Sequence, residues 1–207
     1  MPKTLRSKPL ILGINGSPHD KGTVSTLLNA VLNAAKRAGA DVQRLDLYKM
    51  KVSHEPGLYS VSPKLEVPKN MPKDDIAAAY PLIMKADGLV LASPCYWANM
   101  SGVMKDFIDH LTALENDGFK LQGKVAAFIA ASKENEGGVE MAAMSMVTAL
   151  AQMGVLIIPN GILWYPGKWL TAKKTDKSWA KTDAPLVGKH MVKMIKLLKK
   201  HPISWEE

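Results

Sequence analysis

The sequence predicts an α/β fold: a five-stranded, doubly wound parallel sheet with helices on both faces. Three observations predict it. Short, almost purely apolar runs, which suit strands buried on both faces, alternate along the chain with amphipathic segments of helical period. Right-handed crossovers leave few orders for such strands, and 2-1-3-4-5 is the natural one. The carboxyl edge of that sheet, where ligands bind, would gather the three most unusual loops of the chain, 15–24, 93–101 and 132–138.

Each element has its own signal. Leu10–Ile14 is a strand, apolar on both faces apart from Gly13, and Asn15–Gly22 is a loop. Val24–Ala38 is a helix opening near Thr23, with Val24, Leu27, Leu28, Val31, Leu32 and Ala35 on one face and Gly39 as its stop. Val42–Leu47 is a second strand. Met50–Pro72, with Pro56, Pro63, Pro68 and Pro72, is a long loop of the kind that is often functional. Asp74–Ala86 is a helix with two carboxylates in its first turn and an interior Pro81, which predicts a kink or a local break. Leu89–Ala92 is the third strand, Ser93–Met100 a loop, and Gly102–Leu114 one helix. Val125–Ala131 is the fourth strand, Ser132–Gly138 a loop, and Val139–Met153 a helix ended by Gly154. Val155–Ile158 is the fifth strand. From Pro159 the pattern turns irregular, with Trp164, Tyr165 and Trp169 as candidate interface aromatics. Pro185 opens the last helix, Pro185–Lys200. No repeat and no second domain is legible, so residues 1–207 read as a single domain.

Composition removes several function classes. At 207 residues and 47% hydrophobic, the chain can bury a substantial core. No apolar run reaches the length of a membrane helix or a signal-peptide core, so a cytoplasmic protein with no membrane partner is the default. One cysteine, Cys95, excludes an internal disulfide and any metal site or cluster needing several thiolates from one chain. The net charge of +8 raises nucleic-acid binding as an option. Much of the excess sits in lysines between Lys173 and Lys200, with no nucleic-acid motif beside them. A solvated helix face is the plainer reading, and no nucleic-acid partner is expected.

The three loops suggest one ligand. A strand feeding directly into a helix N-terminus makes an anion site. In the first loop Gly16 permits a tight turn, while Ser17, Thr23 and Ser25 can donate hydroxyls, and His19 can add a charged contact when protonated. This loop is neither a Walker A loop nor a dinucleotide fingerprint. In the second loop Tyr96 and Trp97 offer flat surfaces and Asn99 an amide for a heterocycle edge. Cys95 has no histidine near it in sequence and reads as a small hydrophobe. In the third loop Gly137 and Gly138 allow close backbone approach and free N–H donors. A phosphate pocket, a flat pocket and a donor loop together suit flavin mononucleotide (FMN).

The stretches GSPHDKGTVSTLL and ADGLVLASPCYWANMSGVMKDFIDHL, with the Gly-Gly loop, resemble the NADPH-dependent FMN reductase-like family. These are flavodoxin-like flavoproteins that include flavin, quinone, azo and chromate reductases. The resemblance spans Leu10–Ile158. It implies FMN held at its phosphate by Ser17, His19, Thr23 and Ser25. Pro94, Cys95, Tyr96, Trp97 and Asn99 would lie along the isoalloxazine, with Ser132, Gly137 and Gly138 at its pyrimidine side. It further implies NADPH as donor, a small-molecule electron acceptor, and a homodimer or homotetramer. The chemistry needs no obligatory protein acid or base, so no residue is assigned as catalytic. The family's first loop usually carries Arg where this chain has His19, and Asn-Thr where it has Thr23-Val24. The related iron–sulfur flavoproteins place cysteines between the second strand and the next helix, where this chain has none. The alternative is a non-enzymatic electron carrier of flavodoxin type; such carriers tend to be acidic, and this chain is basic.

Overall fold

In β1 (Leu10–Asn15) every residue is buried, as a central parallel strand requires. Its side chains alternate between two cores. Leu10, Leu12 and Ile14 belong to one cluster, and Ile11 to the other. Gly13 faces the second, where an added Cβ would stand 2.8 Å from Leu32 Cδ1. The missing side chain lets the first helix lie close on the strand. The structure is a computed structural model and describes residues 8–54, 74–133, 137–165 and 179–205.

The remaining elements follow in alternation. They are α1 (Thr23–Arg37), β2 (Asp41–Asp46), a 3₁₀ turn (Leu47–Lys49), α2 (Asp75–Lys85) and β3 (Gly88–Pro94). Then come α3 (Gly102–His110), α4 (Thr112–Asn116), β4 (Val125–Ala131), α5 (Val139–Gln152), β5 (Leu156–Tyr165) and α6 (Trp179–Lys200). The strands form one parallel sheet of order β2-β1-β3-β4-β5, as predicted. Residues of α2, α3 and α5 fill the core on one face, and residues of α1 and α6 the core on the other. Among the described residues no helix is long and apolar enough to cross a membrane.

Five local expectations need correction. The helix around Pro81 runs unbroken from Asp75 to Lys85. Pro81 is exposed, so the Ala77 carbonyl that loses its donor lies on the solvent side, where water can serve it. The expected single helix Gly102–Leu114 is two helices parted at Leu111. The Tyr80 hydroxyl donates to the His110 carbonyl at 2.8 Å, and Leu114 N–H turns to Leu111 O instead, at 2.9 Å. The third strand continues through Ser93 and Pro94, which pair with Ala130 and Ala131. The fifth strand does not end at Ile158. Its register against β4 jumps from Ala126↔Ile157 to Phe128↔Ile162, so Pro159-Asn160-Gly161 is a bulge with Asn160 at φ 58°, and pairing resumes to Tyr165. Tyr165 is therefore buried rather than an exposed interface residue, and its hydroxyl donates to Asp183 Oδ2 at 3.1 Å. Finally, the last helix begins at Trp179, placing Pro185 inside it. The long loop's 55–73 and Trp169 lie outside the described residues.

The two helices on the α1 face meet almost backbone to backbone. A Cβ on Gly188 of α6 would collide with the Val31 carbonyl and stand 2.9 Å from Ala35 N. Backbone cannot step aside as a flexible side chain can. Gly188→Ala should therefore lower unfolding stability by about 1–3 kcal/mol, read by denaturant titration.

Candidate functional site

The loops after β1, β3 and β4 meet at the carboxyl edge, joined by buried polar bonds. Ser101 N–H donates to Ser93 Oγ at 2.8 Å, and Ser101 Oγ donates to the Gly16 carbonyl at 2.8 Å. Gly16 tolerates this approach because it lacks a side chain: a Cβ there would stand 2.9 Å from Ser101 Oγ. Cys95 N–H extends the β3–β4 ladder to Ala131 O at 2.8 Å, and Cys95 Sγ donates to Gly138 O at 3.4 Å.

The first loop leaves a set of open donors at the start of α1. No side chain caps this helix, and the N–H groups of Thr23, Val24 and Ser25 have no partner among the described residues. The loop carbonyls are turned the other way. Gly16 O accepts from Ser101, Ser17 O from Asn15 Nδ2 at 3.2 Å, and His19 O from Ser25 Oγ at 2.9 Å. The Ser17 hydroxyl accepts from His19 N–H at 3.2 Å, which leaves its own proton to donate. His19 is exposed, and Thr23 is half-buried at the first helical position. Ser25 differs from expectation. It is fully buried, and its proton is committed to the His19 carbonyl, so it braces the loop from behind.

The second loop is a tight turn. Tyr96 N–H donates to Asn99 O at 2.9 Å, and Asn99 N–H to Tyr96 O at 3.1 Å. Trp97 and Ala98 occupy its corners at φ 52° and 57°, the conformation of a type I′ turn that Asn-Gly normally fills. Each such residue costs about 1–2 kcal/mol. The turn stands Trp97 fully into solvent, with Tyr96 half-exposed beside it. Asn99 Oδ1 accepts from Met100 N–H at 2.8 Å, and the Ser145 hydroxyl stands between it, at 3.0 Å, and the Ala142 carbonyl, at 2.9 Å; with Oδ1 held by Met100, Nδ2 is left as a donor. Pro94 is the buried last residue of β3. Burial pushes the Cys95 thiol up, in keeping with a packing role.

The paired glycines of the third loop have different tasks. Gly137, at φ 84°, faces open space, so a flat ligand can approach its backbone. Gly138, at φ 79°, has its space already taken: a Cβ there would stand 2.6 Å from Ala98 Cβ. It supports the strained turn of the second loop. Ser132, half-buried, donates its N–H to Tyr165 O at 3.1 Å, tying the base of this loop to β5.

Sequence reasoning missed the support beneath the first loop. Asn15 Nδ2 also donates to Asp46 Oδ1 at 2.8 Å, and Arg44 pairs with the same oxygen. Asn15, expected as the first residue of the loop, is instead the buried last residue of β1. Arg44 carried no signal, since β2 is short and its pairing is non-local. Burial raises the Asp46 carboxyl, but hydrogen bonds from Arg44 and Asn15 and the charges of Arg44 and Lys49 outweigh it and hold the carboxyl below its usual range.

These features fit FMN. The uncapped helix start and the Ser17 proton suit a phosphate; the Trp97–Ala98 turn, Asn99 Nδ2 and the open face of Gly137 suit a flat ring with polar edges. Comparisons with known proteins agree. The family model described as NADPH-dependent FMN reductase matches residues 9–169. An iron-sulfur flavoprotein of Archaeoglobus fulgidus is 28% identical over 178 residues, covering 80% of this chain and 86% of that one. Among solved structures, RosB with a bound 8-demethyl-8-formylriboflavin-5′-phosphate superposes with TM-score 0.77 at 15% identity, covering 94% of this chain and 82% of that one. An NAD(P)H:quinone oxidoreductase from Methanothermobacter marburgensis gives 0.64 at 18% identity, covering 97% and 100%. At these identities the structural likenesses speak to the fold alone.

Two outcomes test this geometry. Gly138→Ala forces an unfavourable φ and a clash with Ala98, and should cost about 1–3 kcal/mol in denaturant unfolding while Gly137→Ala costs less. The depressed Asp46 carboxyl adds stability that is present above its unfolded pKa and lost as pH falls through the folded value. Asp46→Asn should therefore flatten the pH dependence of unfolding free energy below about pH 4.

Proposed function

The chain belongs to the NADPH-dependent FMN reductase family, and we propose that it seats FMN on its three carboxyl-edge loops. There it would pass electrons from NADPH to a small acceptor such as a flavin, a quinone, an azo compound or a metal oxyanion. The observation that carries this reading is the first loop, whose carbonyls are tied back while three α1 N–H groups stay open beside the Trp97–Ala98 turn. When bound, FMN supplies the hydride-accepting and electron-donating chemistry.

The protein's part is to bind, orient and tune. Thr23, Val24 and Ser25 N–H groups and the Ser17 hydroxyl hold the phosphate, with His19 at its exposed side. Asn99 Nδ2 and the Gly137 backbone meet the polar edge of the ring, and donors placed there stabilise negative charge that develops on it. Tyr96 and Trp97 wall the ring, and Pro94 and Cys95 form the floor of the loop that carries them. Ser132 and Gly138 hold the third loop against the second. No side chain needs to act as an acid or base.

Relatives named iron-sulfur flavoproteins set a limit on the analogy. A cluster ligated by four thiolates cannot form from one chain with a single cysteine. The reading here is therefore flavin chemistry alone, on one domain spanning residues 1–207. Exposed Trp97, Met141, Met144 and Trp164 suit contact with a second copy in a homodimer or homotetramer. The family match and the charge of +8 favour an enzyme over an acidic-type electron carrier.

The purified protein should show flavin bands near 370 and 450 nm (approximate, a cofactor property) and should oxidise NADPH rapidly when a quinone is added. Replacing Ser17 and Thr23 together by Ala should weaken FMN binding by about tenfold or more, by fluorescence titration. A colourless protein that takes up no added FMN would refute the reading.

A further inference from the structure

Asp46 closes β2 beneath the first loop and gathers donors from two sides. Asn15 Nδ2 reaches its Oδ1 at 2.8 Å while also holding the Ser17 carbonyl. Arg44 reaches the same oxygen with Nε at 2.9 Å and with Nη2. The rest of the guanidinium points back toward α1. Nη1 donates to Asn29 Oδ1 at 2.7 Å, and Nη2 donates to Ser25 Oγ at 3.2 Å. A serine hydroxyl has one proton. With Arg44 donating onto its oxygen, that proton is left for the His19 carbonyl, 2.9 Å away. His19 O also accepts from Gly22 N–H at 3.1 Å, which closes the turn into α1.

We infer that the Arg44–Asp46 pair is a positioning device for phosphate specificity. Through Asn15 on one arm and Ser25 on the other, it holds the Ser17 and His19 carbonyls away from the anion, so that only donors face it. The inference rests on the reading of the first loop as the FMN phosphate seat. Four of the five guanidinium protons of Arg44 are taken within the protein, so its part is assigned through this relay and not through direct contact with the anion. Its effect is indirect. A carbonyl released into the seat would set its negative end against the phosphate, whereas a ligand lacking the phosphate would not sense the change. A half-buried ion pair adds little net stability by itself, so ligand discrimination, not melting temperature, is the property that reports this role.

The experiment compares FMN with riboflavin, which lacks the phosphate, on the full chain by fluorescence titration. Arg44→Met and Ser25→Ala should each weaken FMN binding by about tenfold or more while riboflavin binding stays within about twofold. The double variant should be no weaker than the worse single one, since both break the same relay. Arg44→Lys should recover only part of the loss, as an ammonium cannot reproduce the planar fork. If Arg44→Met fails to fold, Ser25→Ala, which deletes one oxygen, decides alone. An unchanged FMN affinity, or equal losses for FMN and riboflavin, would overturn the inference. If the unaltered protein binds riboflavin as tightly as FMN, the phosphate reading falls and this inference with it. If its preference for FMN is real but survives both substitutions, the inference alone falls.

Discussion

Two buried serines decide how the carboxyl edge is assembled. Ser93, next to the last residue of β3, receives the Ser101 N–H; Ser101, just before α3, gives its hydroxyl to the Gly16 carbonyl of the first loop. Both side chains are fully buried, where an unpaired hydroxyl would be costly, so the pairing is obligatory. It fixes the second loop as the short bridge between Ser93 and Ser101 and sets that bridge beside the first loop. The sheet order brings the loops to one edge; this bond chain determines the spacing between them.

Against that spacing the second loop adopts a conformation it would not choose alone. Two consecutive residues with side chains at positive φ persist only when their surroundings over-determine them. Here the surroundings are the paired Tyr96–Asn99 backbone bonds, the Asn99 side-chain oxygen held by Met100 N–H, and the Gly138 backbone pressed on Ala98. The result is a fixed presentation of Tyr96 and Trp97 at the carboxyl edge of the sheet.

The fold was legible wherever the signal was local. Strand β4, bounded by Val125 and Ala131, is as predicted, because seven apolar residues between polar flanks leave little choice. The misses share a cause in distant contacts. Nothing near Leu111 announces a helix break, since the Tyr80 hydroxyl that diverts the backbone comes from α2. Pro159-Asn160-Gly161 has the composition of a terminus and is a bulge because β4 offers partners on its far side. In the site, the right loops could be read from the sequence, but the directions of their side chains could not. Ser25 and Thr23 look alike as hydroxyls at a helix start, yet Ser25 is buried and spent on the His19 carbonyl while Thr23 is only half-buried. Gly137 and Gly138 look alike as a pair, and only the position of Ala98 separates their tasks.

The contact at Gly188 has a consequence for how this protein can change over generations. Main-chain atoms of α1 meet α6 at Gly188, within a core shared by the buried side chains of both helices. Substitutions on the outer surface of α1 can therefore accumulate without tilting its amino end, which addresses the anion seat some two turns away. Lineages descended from such a sequence are free to recolour that surface with new charges or partners while the cofactor end stays in register. The cost of this tolerance is concentrated at one codon, where a glycine leaves selection little freedom.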